Sequence, residues 1–163
     1  MSLIDETYFI YGDCLIPNVN DTGGAGTAIK NAVLALIAKK QPAFLKLVMG
    51  DDLYDAYILA PTEARFVSLL AELIDGTNKI SPFADYVWTY WMKTRQVIST
   101  ESGDKKTTGG GMESSFNLEK QCENWNNMVD ACEIVYDWMV TNVADYPEWD
   151  QGFRFEKINP FDL

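Results

Sequence analysis

The sequence predicts an all-α fold: a compact multi-helix bundle with a long polar arm, able to close as a small β-hairpin, between its last two long helices. Three observations carry this. Apolar residues recur three and four apart over most of the chain, and Pro, Gly, Asn, Asp and Ser mark starts and stops between these runs. The third is residues 99–115, where the periodicity is lost in a Ser/Thr/Gly/Lys-rich insert. With 163 residues the expectation is one domain, 1–163, with a flexible insert at 99–115 and an aromatic tail at 143–163. A chain of this size buries roughly 70% of its unfolded surface and can support a core by itself.

Residues 8–17 mix Tyr8, Phe9, Ile10 and Tyr11 with Leu15 and Ile16, and are read as extended. Residues 18–26 form a turn-rich loop, because Asn, Asp and Gly tolerate left-handed backbone angles. A helix follows from Thr27, with Ile29, Val33, Leu36 and Ile37 on one face and Lys39 and Lys40 in its last turn. Gln41-Pro42 is expected to interrupt it, since proline lacks an N–H, and Pro42 to open a second helix carrying Phe44, Leu45 and Val48.

Gly50 supplies a left-handed stop, and Asp51 an N-cap for a short helix bearing Leu53, Tyr54 and Tyr57. Pro61-Thr62-Glu63 signals the next start, followed by Phe66, Leu70, Leu73 and Ile74 and closed by Asp75-Gly76. Ser81-Pro82, with Asp85 in the first turn, starts a helix whose face is Phe83, Val87, Tyr90, Trp91 and Thr94. After the insert, Ser114, Ser115 and Asn117 offer caps for the longest helix. Its seam is Leu118, Cys122, Trp125, Val129, Cys132, Tyr136 and Met139. The tail, with Tyr146, Trp149, Phe153, Phe155 and Phe161, is expected to dock on another surface.

Composition narrows function by exclusion. The chain has no histidine, which removes Ser-His-Asp and Cys-His catalysis and imidazole metal sites. Cys14, Cys122 and Cys132 are an odd set without C-x-x-C spacing, read as reduced core thiols, and they supply no zinc site. The net charge of −11 opposes wrapping of a phosphate backbone, so no specific nucleic-acid binding is expected. The start shows neither a basic n-region nor an apolar h-region, and no uncharged apolar run of about 18 residues occurs, so neither export by that route nor membrane association is expected.

The remaining motifs are weak. Asn18, Asn20, Thr22 and Gly23 imitate the start of a calcium loop, but Ile29 stands where its bidentate Glu belongs. Asp51, Asp52 and Asp55 could hold Mg²⁺ in phosphate chemistry, although capping and dipole compensation explain the first two. In the insert, Lys105 and Lys106 precede Gly109, Gly110 and Gly111, the wrong order for a phosphate cradle. No cofactor is expected. The alternatives left are a metal-dependent phosphate-processing enzyme built on the aspartates and an acidic adaptor or DNA-mimic inhibitor.

The opening Leu3-Ile4-Asp5, the run Leu47-Val48-Met49-Gly50-Asp51-Asp52-Leu53-Tyr54, and Tyr86-Val87-Trp88-Thr89-Tyr90-Trp91 carry a further signal. With Trp125-Asn126-Asn127-Met128 and residues 142–149, they resemble the head-tail connector (adaptor) proteins of tailed phages and prophages. The resemblance implies a helical, non-enzymatic virion assembly protein. It would be made in the bacterial cytoplasm and assembled as a homo-oligomeric ring between portal and tail components, with DNA passing through the centre. The expected contact residues are Lys105, Lys106, Thr107, Thr108, Gly109, Gly110, Gly111 and Met112 of the arm, with Trp88 and Trp138, which fall off the helical stripes.

Overall fold

A computed structural model describes residues 2–95, 97–100, 103–106, 111–150 and 154–159. The fold is all-α: helices α1 (Gly24–Met49), α2 (Asp51–Leu59), α3 (Ala64–Leu73), α4 (Pro82–Arg95) and α5 (Gly111–Thr141), with 3-10 turns at Glu6–Phe9 and Val143–Asp145. Between α4 and α5 stands an antiparallel ribbon of β1 (Val97–Thr100) and β2 (Gly103–Lys106), in which Val97 pairs with Lys106 and Thr100 with Gly103.

α4 is the centre of the molecule. It packs along α5 on one side and α1 on the other, α2 leans on α1, and α3 packs against α5. Phe83, Ala84, Tyr86, Val87, Trp88, Thr89 and Trp91 are all buried, so α4 has no solvent face over most of its length. A helix covered all round is apolar all round, which is why the single stripe expected for it was too narrow. Trp88, expected at an interface, is therefore a core residue at 2% exposure, its indole N–H donating to the Leu15 carbonyl at 3.3 Å.

Four other expectations are corrected. Residues 8–17 are not extended: Asp5 caps a 3-10 turn by accepting from the Thr7 N–H at 2.9 Å, and bends and turns lead from it through Gly12 at φ +74°. α1 runs unbroken through Pro42, because Pro42 and Ala38, whose carbonyl loses its helical donor, both lie on the solvent side where water can replace the bond. Asp51 is the first residue of α2 rather than its cap. Gly50, at φ +78°, joins α1 to α2 and donates to the Lys46 carbonyl, while the Asp51 carboxylate accepts from Lys46 Nζ at 2.8 Å. α5 begins at Gly111, so Ser114, Ser115 and Asn117 lie inside it, and Leu118 at its outer end is exposed.

Other starts and stops hold. Pro82 opens α4, with the Ser81 hydroxyl accepting from the Phe83 N–H at 3.2 Å. Gly26 is buried, and a Cβ there would collide with the Asp21 carbonyl, so only glycine lets the loop close over the start of α1. The tail docks as expected. The Tyr146 hydroxyl donates to the Arg65 carbonyl at 2.6 Å, and the Arg65 guanidinium grips Glu148 through both nitrogens. Further on, Trp125 Nε1 donates to the Glu156 carbonyl at 2.9 Å, and Asn126 exchanges two bonds with the Ile158 backbone. Phe155 enters the aromatic core, 6.2 Å from Phe44 and 5.9 Å from Trp125. Phe153 and Phe161 lie outside the described residues.

Candidate functional site

Two features of the described surface could serve a partner: a cleft at the start of α4 and the ribbon at its end. The cleft, of about 620 Å³, is bounded by the N-terminal segment, the 77–82 turn, and Asn127 and Ala131 of α5. Local chemistry fixes one lip. The Asp75 carboxylate accepts from the N–H groups of Thr77 and Asn78 at 2.9 and 2.8 Å, and a backbone bridge joins Asp75 to Ile80. These bonds, the Asn78 N–H foremost, hold the Asp75 carboxyl below its usual range. Closing so tight a loop puts Lys79 in the left-handed region at φ +59°, and leaves Ile80 63% exposed on the rim. The opposite lip is Tyr11, 83% exposed beside Gly12.

Cys14 and Asp85 lie behind these lips. The thiol donates to Asp85 Oδ1 at 3.0 Å, and Asn124 Nδ2 lies 3.5 Å from the sulfur. Burial, foremost, and then the nearby Asp13 charge raise the Asp85 carboxyl to about 6, although the thiol bond opposes them. Burial, followed by the Asp85 charge, drives the Cys14 thiol well above its ordinary range. Cys14 is therefore held as a thiol, a poor nucleophile and metal ligand. What the arrangement offers is a carboxyl that changes charge near pH 6 in a concave site, with Asp13 beside it.

Lys105 and Lys106 lie on β2, Gly111 and Met112 open α5, and Thr107, Thr108, Gly109 and Gly110 fall outside the described residues. Trp138 is half-buried, its ring 5.7 Å from Tyr146. Among the described residues, neither Trp88 nor Trp138 lines the cleft. Asp52 and Asp55 stand exposed on α2, and among the described residues no group of three or more acidic, Cys or His side chains is placed to hold a metal.

The sequence analysis placed Tyr11 only in a segment read as extended, named neither Asp13 nor Ile80, and assigned Asp85 only to the dipole of α4. Asp85 does lie in that first turn, but its opposition to Cys14 joins distant segments and left no local signal. No protein-family model, curated protein or solved structure matches the chain. Among the described residues no helix is long and apolar enough to cross a membrane.

Proposed function

We propose that the protein is a non-enzymatic virion assembly component of the head-tail connector kind, which holds neighbouring particle proteins, portal and tail among them, through the ribbon between α4 and α5. The observation carrying this reading is the ribbon itself. It has two strands of four residues, with no third strand beside them among the described residues, and it is mounted on two helices that pack along one another. An isolated two-strand ribbon is marginal in water, and its outer edges offer unpaired backbone donors and acceptors. An open edge between two packed helices is suited to adding a strand from another chain. The net charge of −11 suits a part that DNA must pass without adhering.

The test is to replace residues 97–106 with a short Gly-Ser linker and to mix parent and variant with the products of the flanking genes. Size-exclusion chromatography should show a complex with portal or tail components for the parent, and its loss for a variant with unchanged circular dichroism. A variant that still forms the complex defeats the ribbon's role. A parent that joins no particle protein, or that turns over a substrate, defeats the assembly reading.

A further inference from the structure

We infer that the aromatic groove along α5 is a peptide-binding site. The chain's own residues 154–159 occupy it as a strap, and an extended segment of a partner protein, patterned basic-aromatic-x-basic, takes it by displacing them. This goes beyond the ribbon and does not depend on it.

The strap shows what the groove recognises. Residues 154–159 form neither helix nor strand, and Phe155 is the buried one among them. Its ring lies 6.2 Å from Phe44 of α1 and 5.9 Å from Trp125 of α5, and Tyr86 of α4 stands 5.3 and 6.4 Å from those two rings. Three helices therefore build one aromatic seat. Beside it, Asn126, Asp130 and Glu133 follow four and three apart on one face of α5. Asn126 Nδ2 donates to the Ile158 carbonyl at 3.0 Å, and its Oδ1 accepts from the Ile158 N–H at 2.8 Å. Asp130 pairs with Lys157, and Glu133 with Arg154.

These contacts suit any chain of the same pattern. An amide that takes both backbone groups of one residue reads extended main chain whatever its side chain, and the Trp125 indole N–H does likewise at the Glu156 carbonyl. Main-chain bonds of this kind give affinity, while the seat and the two carboxylates set the pattern. Residues 154 to 158, extended, span about 13 Å, and α5 from Asn126 to Glu133 about 10 Å, so the strap runs antiparallel to the helix in near register.

The strap is also held lightly enough to exchange. Its two ion pairs reach solvent and contribute little, and ordering six residues costs entropy that offsets the bonds they make. One buried ring remains, and a competitor's ring replaces it. Charge selects the competitor: Arg154 and Lys157 against Glu156 make the strap net positive on a chain of net charge −11, and Asp130 and Glu133 repel acidic segments.

The experiment follows a labelled peptide, Arg-Phe-Glu-Lys-Ile-Asn, by fluorescence anisotropy on the full chain. A strap variant carries Arg154→Glu and Lys157→Glu, and a groove variant Asp130→Lys and Glu133→Lys; all four side chains reach solvent, and circular dichroism should match the parent. With its own competitor weakened, the strap variant should bind the probe at least about tenfold more tightly than the parent. The groove variant should refuse the probe and accept the charge-reversed peptide Glu-Phe-Glu-Glu-Ile-Asn. A probe with alanine for phenylalanine should not bind. A strap variant no tighter than the parent, a groove variant that takes the original probe equally well, or an alanine probe that still binds would overturn the inference. Sedimentation showing a parent dimer that the strap variant loses would give the groove to a second copy's strap and overturn the partner reading too. Probe binding is read on this chain alone, so it fails or stands apart from complexes with the flanking gene products.

Discussion

Cys14 and Asp85, 71 residues apart in sequence, meet where the N-terminal segment crosses the start of α4, the thiol donating to the carboxylate at 3.0 Å. The Asp85 carboxyl is raised to about 6, so the folded protein binds its proton more tightly than the unfolded chain. Its contribution is therefore fully favourable below about pH 4, declines as pH rises toward 6, and stays low above. Asp85→Asn keeps an acceptor for the thiol and removes the buried charge. It should stabilise the protein by about 2 kcal/mol at pH 8 relative to its effect at pH 4. Urea midpoints of parent and variant at the two pH values measure this, and an unchanged difference between them would refute it.

Pro42 predicts a gain. Alanine there restores the N–H that the Ala38 carbonyl lacks and removes the ring from an exposed site within α1. Pro42→Ala should stabilise by about 1–3 kcal/mol, seen as a raised melting temperature. A lowered one would mean that α1 needs the proline's geometry.

Trp88 and Trp138 should separate in a stability assay. Trp88 is 2% exposed between α4 and the N-terminal segment, so Trp88→Ala should cost about 3–5 kcal/mol. Trp138 is half-buried, and its truncation should cost clearly less. Equal losses on urea denaturation would contradict these placements.

The tail should loosen without global unfolding when its clasp on α3 is cut. Tyr146→Phe removes the bond to the Arg65 carbonyl and should cost about 1 kcal/mol. Arg65→Ala removes the two-pronged grip on Glu148, a half-buried pair still within reach of salt and worth about 1 kcal/mol. Amide exchange in residues 143–150 should quicken in both variants, and exchange confined to parent rates would show that other contacts suffice.

Helix existence was legible locally. Val33, Ile37, Phe44, Leu45 and Val48 recur at helical spacing and are buried, and Ser81-Pro82 starts a helix because its hydroxyl and ring act within two residues. The break at Pro42 was misread because proline's cost depends on whether its side of the helix meets water, which only the packed molecule decides. Trp88 was misread for the opposite reason: a helix enclosed by two neighbours buries side chains that a one-sided stripe leaves out.

The sequence by itself determined an all-α chain with a polar interruption before its last helix, no histidine chemistry and a strongly acidic balance, because spacing, composition and capping act over a few residues. Tertiary structure decided that α4 lies at the centre, that Asp85 faces Cys14 rather than only the helix dipole, and that a cleft opens between Tyr11 and Ile80. Those outcomes depend on segments far apart in the chain, whose mutual burial changes what each side chain touches and how its charge behaves.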